Sequence, residues 1–194
     1  MVELLIESGA EVDAQNESGK TALMLAAFSG KLKIIQALRG SGASYDKFDR
    51  SGSFIVHYAV DGGNVDSLQW MLLDGIDPNK KDMNSGWTPL FRVANISGNK
   101  DIAELLIKFK ADVNARDKEN KTALMMAIIN GNQPLVELLV NHGADIMFKN
   151  EYGKNALDLA KAMERIVSVL LSFYSGVVII QNLKYLFLES YQVY

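Results

Sequence analysis

The sequence predicts an all-α fold, a solenoid of stacked helix pairs with short β-hairpin or turn fingers. Two recurring sets of residues lead to this prediction. The first set returns every 33 or 34 residues: Gly19, Gly52, Gly86, Asn120 and Gly153. The second set has the same period with one gap of 35 residues: Gly9, Gly42, Gly75, Lys110 and Gly143. A period of this length is typical of stacked units that cannot bury their apolar faces alone.

Residues 117–149 show what one unit contains. A polar turn at 117–120 precedes Thr122, whose hydroxyl can cap the first turn of a helix. The apolar run 123–129 predicts a short first helix. Pro134 then opens a second helix, where its missing N–H leaves no hydrogen bond unmade. A glycine follows each helix, and an extended lead-out joins the unit to the next turn.

The same pattern divides the chain into five repeats after a partial one. The predicted boundaries are a repeat array at 1–174, made of a partial repeat at 1–15 and repeats at 16–48, 49–81, 82–116, 117–149 and 150–174, followed by a non-repeat apolar tail at 175–194. The partial repeat supplies only a second helix and its lead-out, which we interpret as a truncation relative to a longer parent. Residues 166–183 contain 18 uncharged positions, which just reaches the length of a membrane span. Their polar residues and Gly176 favour a repeat helix followed by a separate tail.

Repeat 49–81 departs from the pattern at its helix start. Phe54 stands where the other repeats carry a capping threonine. The first helix of this repeat should therefore lose about 1 kcal/mol of capping. We expect the ring to pack over the hairpin instead.

Repeat 82–116 carries two extra residues and an unusual arginine. One extra residue falls in or just after the first helix, where it predicts a longer loop between the helices; the alternative is a π-bulge, a feature often found at functional sites. Arg92 stands in the first helix, where a lone buried arginine would be costly without a partner. It either turns outward or pairs with an acidic neighbour, for which Asp61 and Asp66 are the candidates.

Composition excludes several kinds of function. The 194 residues include 20 basic and 23 acidic side chains, a net charge of −3, which argues against nucleic-acid binding. The absence of cysteine removes disulfides, thiol catalysis and cysteine metal sites. The two histidines, His57 and His142, have no ligand-like neighbours, and no nucleophile–base–orienter set can be assembled. We therefore expect no metal, no cofactor and no enzymatic activity.

Several short motifs recur in register. The start of the first helix reads Thr-Ala-Leu-Met at 21–24, Phe-Ile-Val-His at 54–57, Thr-Pro-Leu-Phe at 88–91 and Thr-Ala-Leu-Met at 122–125. The lead-out reads Gly-Ala-Asp-Ile at 143–146. These motifs resemble those of the ankyrin repeat family. The resemblance implies an ankyrin-repeat α-solenoid that serves as a protein-interaction scaffold or adaptor, with His57 bonded to the backbone of the neighbouring hairpin.

Two stretches have a more specific similarity. Residues 84–99 and 58–71 resemble the ankyrin part of proteins that carry a fibronectin type III domain before their repeats, and the 194 residues contain no such domain. This similarity implies an adaptor of germ cells linked to the control of transcription and apoptosis. It also implies a cytoplasmic or nuclear location, or both.

In the ankyrin architecture, the turn tips and first helices line a concave face. Aromatic and basic residues at these positions are the expected contacts with a partner. The predicted partner-binding residues are Lys20, Phe28, Tyr45, Arg50, Met83, Trp87, Lys118, Lys121, Tyr152 and Lys154. Trp87 is the strongest candidate, whereas Phe48 and Phe148 are expected to pack on neighbouring hairpins.

A moderately basic concave face favours an acidic or mixed peptide from a protein of unidentified type. We expect a monomer without nucleic-acid or membrane partners. Two alternatives are a regulatory fragment of a larger multidomain protein and an adaptor tethered to a membrane by the C-terminal tail.

Overall fold

The computed structural model describes residues 2–163, and its helices form pairs joined by short loops. The elements are α1 Val2–Glu7, α2 Ala22–Phe28, α3 Leu32–Gly40, α4 Ile55–Gly62, α5 Val65–Leu73, α6 Pro89–Arg92, a π-helix at Val93–Ser97, α7 Lys100–Lys108, α8 Ala123–Ile129, α9 Gln133–Asn141 and α10 Ala156–Ala162. Within residues 2–163, no helix is long and apolar enough to cross a membrane. The predicted helix at 166–171, the uncharged stretch 166–183 and the tail at 175–194 lie outside the described residues.

The helices stack in two layers. The first helices of the repeats contact one another along one layer (α2 with α4, α4 with α6, α8 with the π-helix, and α8 with α10), and the second helices do so along the other (α1 with α3, α3 with α5, α5 with α7, and α7 with α9). A single core runs between the layers, and its fully buried side chains include Leu23, Ile35, Leu68, Ile102, Leu106 and Leu124. Isolated antiparallel bridges close three of the tip turns. The predicted all-α solenoid with short hairpin fingers is confirmed.

Threonine side chains begin three of the first helices. The Oγ1 atoms of Thr21, Thr88 and Thr122 accept hydrogen bonds from the backbone N–H three residues later, at 3.2, 3.2 and 3.4 Å. Each bond satisfies an N–H that the helix itself cannot pair. These short helices therefore start where the recurring motif places them.

Within residues 2–163, two non-glycine residues adopt the left-handed backbone conformation. Lys110 has φ 71° and Asn120 has φ 58°, whereas the same positions of the next repeat are Gly143 at φ 86° and Gly153 at φ 70°. Asparagine tolerates this conformation, but a lysine in it is strained by roughly 1–2 kcal/mol. The fold thus imposes the repeat geometry even where the sequence lacks glycine.

Phe54 begins α4 without a side-chain cap. Its ring is 6% exposed, and its centroid lies 5.6 Å from that of Phe48. Its backbone N–H donates to Nδ1 of His57 at 3.1 Å, so a ring nitrogen supplies the acceptor for the N-cap amide. The expected packing of Phe54 over the hairpin is therefore present.

The extra residue in the repeat 82–116 forms a π-helix and not the longer loop that the sequence favoured. The N–H of Gly98 donates to the carbonyl of Val93, five residues earlier, at 2.7 Å. The Asn130 amide of the next repeat donates to the carbonyls of Ala94 (3.0 Å) and Asn95 (3.2 Å). An inserted residue leaves helix carbonyls without their usual donors, and here a neighbouring repeat supplies one. The π-helix is therefore stabilised by a contact with the next repeat, and a local sequence pattern does not show such a contact.

Backbone hydrogen bonds tie successive turn tips together. The donor–acceptor pairs are Arg50 to Ser18 (3.0 Å), Met83 to Gly52 (3.0 Å), Lys118 to Ser85 (3.1 Å) and Glu151 to Glu119 (3.1 Å). Each joins one repeat to the one before it. The tips are therefore held in a fixed row along the solenoid.

Candidate functional site

The tip turns and the adjoining side of the first helices form one surface, which we call the tip face. Described residues form at least two grooves on this face. The first groove, of about 520 Å³, is lined by Glu17, Ser18, Lys20, Phe28, Asp49, Arg50, Ser51, Ser53, Tyr58, Asp61 and Arg92. The second groove, of about 460 Å³, is lined by Asn84, Ser85, Trp87, Phe91, Asn95, Asp117, Lys118, Glu119, Lys121 and Met126.

The floor of the first groove carries a bidentate ion pair. Arg92 Nε and Nη2 donate to the two carboxylate oxygens of Asp61, each at 2.7 Å, and both side chains are 19% exposed. Arg92 Nη1 also donates to Ser53 Oγ at 3.3 Å. Burial lowers the pKa of Arg92, but the bonds to Asp61 raise it by more, so the guanidinium stays charged. Asp61 is therefore the ion-pair partner of Arg92. Asp66, the other candidate from the sequence, lies in the second helix α5.

A second cluster joins this floor to the first tips. Tyr58 donates its hydroxyl to Asp49 at 2.5 Å, and the same carboxylate accepts the backbone N–H of Ser53 at 2.8 Å. Burial raises the pKa of Asp49, but these hydrogen bonds lower it by more, and the carboxylate stays ionised. The ammonium of Lys20 lies 5.4 Å from the centre of the Tyr58 ring. The carboxylates of the floor are thus hydrogen-bonded within the protein itself.

Trp87 forms the aromatic side of the second groove. Its half-buried ring stacks on the buried ring of Phe91, with centroids 5.3 Å apart and planes at 27°. The Trp87 carbonyl accepts hydrogen bonds from the backbone N–H of Asp82 at 3.0 Å and from Nε2 of His57 at 3.1 Å. Because Nδ1 of His57 accepts from Phe54, Nε2 carries the proton that it donates here. Trp87 is therefore fixed by its backbone as well as by its ring.

Two lysines form the opposite side of this groove. Lys118 Nζ donates to the carbonyl of Met83 at 2.9 Å, which joins two tips. Lys121 pairs with Glu119, and the hydrogen bond from that carboxylate raises the lysine pKa. The Lys121 ammonium therefore stays charged at neutral pH.

The structure brings most of the sequence-predicted contacts onto the tip face. Lys20, Phe28 and Arg50 line the first groove, and Trp87, Lys118 and Lys121 line the second. Met83 is 56% exposed and Tyr152 70% exposed, and Lys154 is exposed at the last described tip.

Tyr45 is placed elsewhere. Its hydroxyl donates to Asp74 at 2.8 Å, and the guanidinium of Arg39 lies 3.9 Å from its ring centre. Arg39 belongs to α3 and Asp74 caps α5, so Tyr45 packs against the second helices. An extended lead-out carries its side chain away from the tips, which the spacing along the sequence did not reveal.

Sequence reasoning missed part of the groove floor. Tyr58, Asp61, Asn95 and Met126 line the grooves but were not predicted as contacts. Tyr58 and Asp61 lie three residues apart on α4, on the side of the helix opposite its fully buried residues. That helical spacing is the signal that could have found them.

Phe148 packs against Arg116 of the preceding hairpin, as expected, whereas Phe48 packs on Phe54 of its own hairpin and stays 48% exposed. Phe48 lies against Phe54, and the guanidinium of Arg116 lies 4.0 Å from the ring centre of Phe148. Among the residues that the structure describes, no group of three or more His, Asp or Glu side chains could hold a metal ion.

Comparisons with known proteins agree with this architecture. A family model for ankyrin repeats, described as three copies, matches residues 1–82, 56–150 and 90–181. The crystal structure of the ankyrin repeat domain of Bcl-3, a member of the IkappaB protein family, superposes with a TM-score of 0.75 at 30% identity, covering 87% of this chain and 75% of that one.

Curated relatives match over shorter stretches. The fibronectin type 3 and ankyrin repeat domains 1 protein of Mus musculus is 53% identical over 47 residues, which are 24% of this chain and 14% of that protein. Inversin of Canis lupus familiaris is 36% identical over 123 residues, which are 62% of this chain and 11% of inversin. The chain thus spans only a small part of these relatives. The family model covers nearly the whole sequence, and the chain belongs to the ankyrin repeat family.

Proposed function

We propose that this chain is a protein-interaction scaffold that binds a partner protein through its tip face, the concave face of the sequence-based prediction. The observation that supports this most directly is the Trp87 side of the second groove. A half-buried aromatic ring lies there on a buried one, with its backbone held by two repeats. Partly exposed aromatic residues on a rigid support are typical of binding hot spots.

In this proposal the chain presents the side chains of its tip face to a partner protein and catalyses no reaction. The tips are tied to one another by backbone hydrogen bonds, and the carboxylates of the floor are already hydrogen-bonded within the protein. A partner therefore orders few side chains on this surface when it binds, which lowers the entropic cost of association. No nucleophile or general base contributes to this mechanism.

A role in germ cells, in the control of transcription and apoptosis, is part of the same proposal. The similarity to the fibronectin type 3 and ankyrin repeat domains 1 protein supports it, within the 47 residues that match. A cytoplasmic or nuclear location follows from this role. Imaging of the endogenous protein in testis sections tests it: a signal confined to other cell types, or to the cell exterior, would refute it.

Proximity labelling compares the wild-type chain with Trp87→Ala. Trp70→Ala is the matched control, since Trp70 is also half-buried but lies in the second helix α5. We expect Trp87→Ala to lose the labelled partners and Trp70→Ala to keep them, at matched amounts of folded protein. Loss of the ring also removes its stacking on Phe91, so thermal unfolding is measured for both variants. Identical partner lists for wild type and Trp87→Ala would contradict the proposal.

A further inference from the structure

The three central tips of the solenoid carry an unusual distribution of charge. At one tip position, successive repeats have Arg50, Met83 and Lys118; at another they have Ser53, Trp87 and Lys121. Met83 is packed against Gly52 of the preceding tip, and Lys118 bonds to the Met83 carbonyl. An exposed apolar centre is thus flanked by cations from the repeats on both sides.

The carboxylates of the same tips point inward. Asp49 and Asp82 are 5% and 7% exposed, and each accepts backbone N–H groups of its own turn. Asp117 likewise accepts the N–H of Lys121 at 2.8 Å. The acids therefore build the turns, and Glu119 is the one exposed carboxylate among the tip residues 49–53, 82–87 and 117–121.

The cations keep capacity for a ligand. Arg50 is exposed, and its guanidinium has no hydrogen bond or ion pair within residues 2–163. Lys118 uses one N–H for the Met83 carbonyl, and an ammonium has three. Opposite charge at such a rim steers a partner and fixes its register.

Resting on the proposed function, we infer that the tip face binds an extended acidic peptide segment with an apolar side chain between its carboxylates. The apolar side chain lies on Met83 and Trp87. The carboxylates on one side face Arg50, and those on the other side face Lys118 and Lys121.

Selection from a random dodecapeptide display library tests the inference without assuming the ligand. We expect the full chain to enrich peptides with aspartate or glutamate on both sides of an aromatic or large aliphatic residue. Enriched peptides of neutral or basic composition that depend on Trp87 would overturn the inference and leave the proposed function standing. No enrichment, together with proximity labelling that is unchanged in Trp87→Ala, would overturn both.

Charge reversal then locates the acidic contacts. Binding of a fluorescein-labelled peptide with three glutamates on each side of one phenylalanine is measured by fluorescence anisotropy. The double variant Lys118→Glu/Lys121→Glu should weaken it about tenfold or more, which corresponds to about 1.4 kcal/mol at 25 °C. Lys33→Glu is the control, because Lys33 is an exposed lysine of the second helix α3. Equal loss in the control would show attraction by overall charge alone and would refute a local site.

A second peptide, with serine in place of every glutamate, separates the apolar contact from the charged ones. It should bind more weakly than the acidic peptide and be insensitive to the lysine reversals. Added salt should weaken the acidic peptide only, because screening acts on exposed charges. If the serine peptide binds as tightly as the acidic one, the carboxylates contribute nothing and the inference is wrong.

Discussion

The Asp61–Arg92 pair should be strongly coupled. Removing one partner of a buried ion pair leaves the other charge uncompensated, which costs about 3–5 kcal/mol. Both side chains are 19% exposed, and Ser53 is the hydrogen-bond partner that Arg92 retains. With a fifth of each side chain in water, we expect Asp61→Ala or Arg92→Leu to lower the free energy of unfolding by about 2.5–4 kcal/mol.

The double variant should lose much less. Three of the other repeats carry apolar residues at the position of Arg92, namely Leu25, Met126 and Leu159, and the fourth carries Tyr58. Replacing a buried ion pair by apolar side chains is often nearly neutral, so Asp61→Ala/Arg92→Leu should cost about 1 kcal/mol or less. The two single losses sum to about 5 kcal/mol or more, so the coupling energy between the two positions is about 4 kcal/mol or more.

Urea unfolding followed by far-ultraviolet circular dichroism measures this cycle. Asp66→Ala is the control, since Asp66 is exposed in the first turn of α5 and should contribute only about 0.5 kcal/mol. A double variant that loses the sum of the two single losses would show that the pair is not coupled. It would refute the assignment of Arg92 as a charge held in the groove floor by Asp61.

Three further outcomes can be checked by the same unfolding measurements. Lys110→Gly should stabilise the chain by about 0.5–1 kcal/mol, because glycine relieves the left-handed strain. Gly143→Ala, at the same repeat position, should lose a similar amount of stability. Equal stability of Lys110→Gly and wild type would contradict this expectation. Burial lowers the pKa of His57 in the folded chain below its unfolded value near 6.5. As pH falls, the unfolded chain therefore binds the proton before the folded chain does. The free energy of unfolding should then decrease below pH 6.5, by up to about 1.4 kcal/mol per pH unit. His57→Gln should abolish that slope between about pH 5.5 and 6.5, and an unchanged slope would exclude His57 as its source. Gly62→Ala should destabilise by about 2 kcal/mol or more because its Cβ would overlap the backbone of α2, whereas Gly40→Ala, with open space around its Cβ in α3, should not destabilise.

The periodic features of the fold could be predicted from the sequence, whereas the contacts between repeats could not. Thr122 and the apolar run after it specify a helix start locally, and the structure has α8 at that place. The π-helix depends on Asn130, which lies 35 residues after Asn95 and belongs to another repeat. No pattern within one repeat contains that hydrogen bond.

The positions of the predicted contact residues follow the same division between local and inter-repeat contacts. The position of Trp87 at a tip could be predicted because it stands beside a turn glycine, and turn tips are exposed in repeat architectures. Tyr45 was misplaced because the direction of an extended lead-out depends on what packs beneath it, here Arg39 and Asp74. Asp61 could be named as a partner of Arg92 because the two lie about one repeat apart.

The row of tip-to-tip hydrogen bonds also has a mechanical consequence. Within residues 2–163 the main contacts of each repeat are with its neighbours, so a pulling force along the solenoid passes through the interfaces in series. Under load the weakest interface opens first, and the others hold until their own thresholds are reached. One 33-residue repeat that unravels adds roughly 110 Å of chain at about 3.4 Å per residue. The array would therefore lengthen in steps of that size, one step for each repeat that unfolds under force.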